Sequence, residues 1–284
     1  MSAGSRPAHL TKAISVSLLA AASLLALAGR LTGMLDRQFL YFPEPLENLD
    51  WKQLSGLPLE DVFLTAPDGV ALHAWWIVAA NEPKAVMVWC HGNAGNISHR
   101  LEHLAALVKA GVSILIFDYR GYGRSAGQPS EQGLYTDAET AFQFLIHDRK
   151  IAPSRIVIYG ESLGTAVAAD LASRHSDVAG VILEAPFGSI QAAAKLLYGA
   201  LPVHTLLQAR FDVFARLKQI RRPLLVIHGD RDSILPISLG KAVYDAANEP
   251  KQWWIVSGAD HNNTHIVGGE AYYQKILSFI RSLG

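Results

Sequence analysis

The sequence predicts an α/β fold in which helices cover both faces of an eight-stranded, mostly parallel sheet. Short β-branched apolar runs alternate with longer helix-like runs over most of the 284 residues. The first two apolar runs, Asp61–Thr65 and Ala71–Val78, are joined by Pro67-Asp-Gly69, which indicates an antiparallel hairpin. Several later runs end in loops that combine glycine with serine, aspartate or histidine. Functional loops at the carboxyl ends of parallel strands are typical of this fold class.

The composition favours one large core and excludes some classes of partner. Half of the residues are hydrophobic (50%), and 25 basic residues balance 25 acidic ones. A chain without net charge or a basic run lacks the electrostatics of nucleic-acid binding. Cys90 is the single cysteine, and no spacing typical of metal ligands or nucleotide loops occurs. We therefore expect no cofactor, no metal and no nucleic-acid partner.

The N-terminal region differs in kind from the rest of the chain. An uncharged apolar stretch ends just before Arg30. If it extends over 13–35, after a polar tail over 1–12, it is long enough to cross a membrane as a helix. Its basic flank and small residues also fit a signal peptide that is cleaved between Ala28 and Gly29. The residues alone leave open a membrane anchor and a secreted protein.

The third apolar run, Ala85–Cys90, ends in the glycine-rich loop His91-Gly-Asn-Ala-Gly-Asn96. Acyl transfer needs backbone N–H groups directed at the position where negative charge develops, and such a loop supplies them. We expect His91 to brace the loop by hydrogen bonds rather than to act as a base. A helix over Leu101–Ala110 and a strand over Ser113–Asp118 follow.

The next loop, Asp118-Tyr-Arg-Gly-Tyr-Gly-Arg-Ser-Ala-Gly127, contains three glycines and is predicted to be a tight turn. Because the polar backbone of such a turn needs internal partners, we expect Asp118 and Arg120 to shape it and to pair locally. A helix over Leu134–Asp148 follows.

The most informative pattern is Gly160-Glu-Ser-Leu-Gly164, which lies between a strand over Ile156–Tyr159 and a helix-forming run. A serine at the tip of such a turn has an unfavourable backbone conformation, and glycines beside it leave room for the strand and helix. Ser162 is therefore the candidate nucleophile. The N–H of Leu163 is a candidate donor to the oxyanion.

A serine nucleophile requires a histidine base and a carboxylate that orients the base. The run Leu224–His228 ends in a loop that carries Asp230 and Asp232, and either carboxylate could take this role. The run Trp253–Val256 leads to His261, the candidate base. The remaining predicted elements are a strand over Val181–Leu183 and helices over Leu239–Ala247 and Glu270–Leu283.

Four motifs together resemble a known family. They are His91-Gly-Asn-Ala-Gly-Asn96, Phe117-Asp-Tyr-Arg-Gly-Tyr-Gly-Arg-Ser125, Gly160-Glu-Ser-Leu-Gly164 and His228-Gly-Asp-Arg-Asp232. These motifs are similar to those of the membrane-anchored α/β-hydrolases related to the yeast bud-emergence hydrolase and the animal protein depalmitoylases. The likeness covers nearly the whole chain after residue 36.

The resemblance assigns roles within the site. It favours Asp232 over Asp230 as the orienting acid, and it adds the N–H of Asn93 to that of Leu163 as an oxyanion donor. Asp230 and Asp260 are then expected to cap loops with their side-chain oxygens.

The resemblance also implies an organisation and a function. We expect an α/β-hydrolase domain over 36–284 with a short helical lid over 187–218, and an uncleaved membrane anchor over 13–35. The implied activity is hydrolysis of an acyl ester or thioester, with lipids among the candidate substrates, through an acyl-enzyme formed by Ser162 and His261. The rivals are a non-catalytic, membrane-tethered binding protein on the same scaffold and a peptidase of the same fold.

Overall fold

An eight-stranded sheet organises the computed structural model, which describes residues 33–80, 85–199, 205 and 207–283. In chain order the strands are β1 Phe42–Pro43, β2 Leu59–Thr65, β3 Ala71–Ile77, β4 Ala85–Cys90, β5 Ala94–Gly95, β6 Val112–Phe117, β7 Ile156–Glu161, β8 Gly180–Glu184, β9 Leu224–Gly229 and β10 Lys251–Val256. The α-helices are α1 Met34–Phe39, α2 Trp51–Ser55, α3 Leu101–Lys109, α4 Glu131–His147, α5 Leu163–Arg174, α6 Ile190–Tyr198, α7 Val213–Leu217, α8 Ile237–Ala246 and α9 Thr264–Arg281.

The strands of the large sheet lie in the order β10-β9-β8-β7-β4-β6-β3-β2. β2 and β3 form an antiparallel hairpin, β3 is antiparallel to β6, and the other neighbours are parallel. The predicted eight-stranded, mostly parallel sheet is confirmed. Because parallel strands end at the same edge, the loops after β4, β7, β9 and β10 come together there.

The central strand β4 has a continuously apolar sequence because both of its faces are buried. All six of its residues are buried. Val86, Val88 and Cys90 pack in the core on one face of the sheet, whereas Met87 and Trp89 pack in the core on the other face. Successive side chains of a strand point to opposite faces, so a sheet covered by helices on both sides requires apolar residues at every position.

Several element boundaries differ from the prediction because backbone pairing extends past the apolar residues. β10 begins at Lys251, which pairs with Leu224, although its first residues are polar. β7 and β8 continue to Glu161 and Glu184, which pair with each other. A backbone ladder places no demand on side-chain polarity, so these ends are not visible in the apolar pattern.

Two further differences involve short or irregular segments. α9 begins at Thr264, earlier than the predicted start at Glu270, and Gly269 interrupts it with φ 50° and ψ −136°. The prediction therefore found only the part after the kink. The parallel pairing of Phe42–Pro43 with Ala94–Gly95 was not predicted, because two residues are too few to form a periodic pattern.

The predicted local pair between Asp118 and Arg120 is wrong. The Arg120 guanidinium contacts Asp137 of α4 at 2.8 Å and Asp68 of the β2–β3 turn at 2.7 Å. Asp118 instead accepts a hydrogen bond from the Ile97 N–H at 3.0 Å. Arg120 thus joins three elements that are far apart in sequence.

The start of the described chain is tied to the segment before α7. Asp36 of α1 accepts hydrogen bonds from the N–H groups of Gln208 and Ala209, at 2.8 and 2.9 Å. Residues 13–32 of the expected anchor, and residues 200–204 and 206 of the expected lid, lie outside the described residues. Among the helices that the structure does describe, none has the length and apolar character needed to cross a bilayer.

Asp137 and Asp68, the two partners of Arg120, differ in burial and therefore test how burial changes the contribution of an ion pair to stability. The Asp137 side chain is fully buried, and removing one member of a buried pair leaves the other charge uncompensated. We expect Asp137→Ala to lower the free energy of unfolding by about 3–5 kcal/mol in urea denaturation. The half-exposed Asp68 should cost far less when replaced by alanine, and equal losses would contradict this assignment.

Candidate active site

Ser162 lies at the tip of the turn between β7 and α5. Its backbone angles, φ 51° and ψ −117°, are unfavourable for a residue with a side chain. The Ser162 N–H donates a hydrogen bond to the carbonyl of Glu184 at 2.9 Å. The neighbouring strand β8 therefore holds the strained turn in place, and the partly buried Ser162 lines a cavity at the sheet edge.

The glycines on either side of Ser162 are required by close packing. A side chain at Gly160 would collide with the carbonyl of Gly164 and with Ala168 of α5. A side chain at Gly164 would collide with the carbonyl of Cys90 at the end of β4. The Gly-Glu-Ser-Leu-Gly pattern thus allows the helix to leave the strand at close range.

Three side chains from three loops form a hydrogen-bonded chain. Nε2 of His261 lies 2.9 Å from Oγ of Ser162, and Nδ1 of His261 lies 2.7 Å from Oδ2 of Asp232. The distances fit a serine whose proton can pass to a histidine, with a carboxylate fixing the orientation of the ring. The structure brings together all three residues that the sequence singled out.

The loop after β9 keeps Asp232 ionised. Burial raises the pKa of this carboxyl, but hydrogen bonds with His228 and His261 outweigh burial and hold the pKa well below its usual range. Oδ1 also accepts hydrogen bonds from the N–H groups of Ile234 and Leu235, at 3.0 and 2.7 Å. A carboxylate fixed in this way remains negative beside the imidazole at neutral pH.

The two competing aspartates face other partners. Asp230 accepts hydrogen bonds from the Ser257 hydroxyl at 2.9 Å and from the Gly258 N–H at 2.6 Å. Asp260 accepts hydrogen bonds from the Ser233 N–H at 2.8 Å and from the backbone N–H of His261 at 2.7 Å. Both carboxylates cap loops, and neither has a hydrogen bond to the imidazole ring.

The predicted oxyanion donors Asn93 and Leu163 line the same cavity as Ser162. Leu163 is the first residue of α5, where a backbone N–H has no acceptor within its own helix. The Asn93 side chain accepts a hydrogen bond from the Tyr122 hydroxyl at 3.0 Å, which fixes the loop after β4. Their role in stabilising an oxyanion stays a prediction.

His91 braces this loop from inside the protein. Its Nδ1 lies 2.7 Å from the Gly92 carbonyl, and its own carbonyl accepts a hydrogen bond from Tyr119 at 2.9 Å. Burial lowers the pKa of His91 well below its usual range, and nearby Arg100 lowers it further. His91 is thus a neutral, buried ring, which suits a bracing role.

The cavity at Ser162 has a volume of about 270 Å³ and mainly apolar walls. α6 and the residues just before it contribute Phe187, Ile190, Ala193 and Ala194, and the loop after β9 contributes Ile234 and Leu235. The wall near the N-terminal end of the described chain consists of Phe39, Leu40 and Phe42, which the sequence did not indicate. Their sequence carries no signal beyond hydrophobicity, because they reach the site only through tertiary packing.

The sequence also did not indicate an ion pair at the rim of the site. Arg100 lies 3.2 Å from Glu161, the residue before Ser162, and donates a hydrogen bond to the Ala94 carbonyl at 2.9 Å. This pair joins the serine turn to the loop after β4. Among the described residues, no group of three or more histidine, cysteine, aspartate or glutamate side chains is arranged to hold a metal ion.

The fold and this arrangement define the class of protein, and comparisons identify the family. The family described as "Serine aminopeptidase, S33" matches residues 81–202. The α/β-hydrolase domain-containing protein WAV2 of Arabidopsis thaliana is 33% identical over 78% of this chain and 78% of its own length. Protein bem46 of Schizosaccharomyces pombe is 29% identical over 82% of this chain and 80% of its own length.

The solved structures agree with the sequence comparison. The Pyrococcus furiosus esterase Pf2001 superposes with a TM-score of 0.70 at 21% identity, covering 86% of this chain and all of that one (100%). The chain belongs to the α/β-hydrolase superfamily and is related to bem46, as the four motifs predicted. It is a hydrolase by family.

Proposed function

We propose that the protein is a serine hydrolase that cleaves carboxylic ester or thioester bonds through an acyl-enzyme. The observation that carries the proposal is the chain from Ser162 through His261 to Asp232, with distances of 2.9 and 2.7 Å, which opens into an apolar cavity. The likeness to an esterase supports this choice of bond.

In the first half of the reaction, Ser162 Oγ attacks the substrate carbonyl carbon while His261 Nε2 takes the hydroxyl proton. Negative charge develops on the carbonyl oxygen, near the N–H groups of Asn93 and Leu163. The bond to the leaving oxygen or sulfur then breaks, and His261 delivers its proton to that atom. Asp232 stabilises the imidazolium throughout this exchange.

In the second half, water attacks the acyl carbon and gives a proton to His261. The Ser162 oxygen leaves the acyl group and recovers that proton, so the enzyme returns to its starting state. The products are a carboxylic acid and an alcohol or thiol. The three side chains carry the proton transfers, and the two N–H groups stabilise the oxyanion.

The apolar lining of the cavity at Ser162 favours a substrate with an apolar acyl group. Its walls are formed mainly by aromatic and aliphatic side chains, and its volume is about 270 Å³. We therefore expect an acyl chain of medium length to occupy this space. Burial of such a chain supplies binding energy roughly in proportion to the apolar area removed from water.

The name of the matching family makes a peptidase the second candidate. An aminopeptidase needs a carboxylate that binds the free amino group of the substrate. Glu161 is the carboxylate in the lining of this cavity, and it is paired with Arg100. Turnover of aminoacyl p-nitroanilides above that of p-nitrophenyl esters would favour the peptidase.

Replacing the nucleophile tests the proposal directly. Ser162→Ala should lower kcat for p-nitrophenyl octanoate by about 10⁶, because the acyl-enzyme can no longer form. Ser173→Ala, on the same helix but outside the site, should retain full activity. Unchanged hydrolysis by Ser162→Ala would refute the assignment, and failure of the folded wild-type protein to react with a fluorophosphonate would favour a binding protein.

The two aspartates after β9 offer a second test. Asp232→Asn should lower kcat by about 10⁴, because the amide no longer stabilises the imidazolium or selects the productive tautomer. Asp230→Asn is the matched control, since its side chain caps the next loop without touching the ring. Near-normal activity in Asp232→Asn, together with loss in Asp230→Asn, would reverse the roles.

We also propose that the apolar stretch before Arg30 anchors the protein in a membrane. The full-length protein should then stay in the membrane pellet after high-salt and carbonate washing, because hydrocarbon burial does not respond to ionic strength. Deleting residues 1–32 should release an active hydrolase that keeps the Asp36 contacts. A mature chain that begins at Gly29, measured by intact mass, would indicate cleavage and contradict the anchor.

A further inference from the structure

A second cavity of about 270 Å³ lies beside the apolar one. The two share the residues of the site rim, which are Ala94, Arg100, Glu161, His261 and Asn262. Its other walls are formed by residues whose side chains can donate or accept hydrogen bonds, namely His99, His103, Tyr159, Glu184, Thr264 and His265. The apolar cavity and this more polar one, here called the polar cavity, therefore meet at His261.

The second cavity borders His261, the residue that protonates the leaving group in the proposed mechanism. Ser162 and the proposed oxyanion donor Leu163 line the apolar cavity alone, whereas His261 lines both. In the proposed mechanism His261 delivers a proton to the leaving atom, so the leaving group must lie on the side of this ring. The polar cavity lies against this ring.

One wall residue has unused hydrogen-bonding capacity. His103 is 5% exposed, and its Nε2, which is itself buried, has no hydrogen-bond partner among the described residues. Its ring is stacked on His265, with centroids 4.8 Å apart and planes at 3°. Burial lowers the pKa of His103 well below its usual range, and His265 contributes to the same effect. A neutral imidazole can donate or accept one hydrogen bond at this nitrogen.

Arg100 and the carboxyl groups of Glu161 and Glu184 at this cavity already have partners within the protein. Arg100 forms an ion pair with Glu161 at 3.2 Å. Burial raises the pKa of Glu184, and its carboxyl is held by the hydroxyls of Thr264, Tyr159 and Tyr272. A ligand here therefore meets hydrogen-bonding groups rather than an unpaired charge, and a charged ligand would lose hydration without gaining a counter-ion.

We propose that this cavity binds the leaving group of the substrate, and that this group is an uncharged alcohol with additional hydroxyls, as in a glycerol ester. The inference rests on the proposed function, because it assumes that an acyl group occupies the apolar cavity. It makes His103 and His265 residues that determine specificity for the alcohol part of an amphipathic ester.

Two esters that differ only in the leaving alcohol test this directly. Glycerol mono-octanoate and propyl octanoate share the acyl group and the carbon number of the alcohol, and only the first has free hydroxyls. The wild-type protein should show a kcat/KM about tenfold higher for the glycerol ester, since one or two added hydrogen bonds supply a preference of this size.

The variant His103→Phe keeps an aromatic ring in the stack and removes the nitrogen. It should reduce the glycerol-to-propyl ratio of kcat/KM about tenfold, to near one. His265→Phe, at the partly exposed side of the same stack, should reduce the ratio as well and carries the test if His103→Phe does not fold. The matched control is His147→Phe, an exposed histidine of α4 outside both cavities, which should leave the ratio unchanged.

The outcomes separate this inference from the proposed function. If the wild-type protein hydrolyses both octanoates through Ser162 without preference, or if the histidine variants leave the preference intact, the inference fails while the serine hydrolase stands. A kcat/KM for octanoylcholine above that for the glycerol ester would also overturn it, because the leaving group would then be a cation. Activity that survives in Ser162→Ala would instead refute the proposed function.

Discussion

The site depends on one strained residue that the sheet holds in place. Ser162 has a positive φ, and a conformation of this kind costs on the order of 1–3 kcal/mol, so surrounding structure must offset it. The Ser162 N–H bonds to the Glu184 carbonyl, and the glycines at 160 and 164 admit the close contact between strand and helix. β7 is buried on both faces, which allows packing energy from the core to maintain the turn.

The same strand end also governs where the histidine lies. The Glu184 backbone holds Ser162, whereas its side chain bonds to Thr264 and Tyr272 of α9 and to Tyr159 of β7. Thr264 follows His261 closely along the chain, so one residue couples the serine turn to the loop that carries the histidine. The histidine base must stay within hydrogen-bond distance of the serine, because a small misplacement lowers the catalytic rate. The bonds of Glu184 to both parts of the site help to keep this distance.

The sequence was sufficient for features that depend on local pattern and chain order. Apolar runs located the eight strands, and the parallel arrangement then brought Ser162, Asp232 and His261 to one edge of the sheet. It failed where partners are distant: Arg120 pairs with Asp137 and Asp68 rather than with its neighbour. A buried arginine needs an acidic partner, but the sequence does not indicate which carboxylate lies beside it in the folded protein. The cavity wall formed by Phe39, Leu40 and Phe42 was missed for the same reason.

The N-terminal part of the described chain lines the apolar cavity and also contacts the segment before α7. Phe39, Leu40 and Phe42 line the apolar cavity, and Asp36 bonds to the backbone before α7. Since α1 and its continuation form a cavity wall, the segment after the apolar stretch shapes the acyl side of the site, and truncation past Gly33 would open that wall. The polar cavity has no contribution from this segment, so changes in α1 and its continuation act on the acyl side of the site.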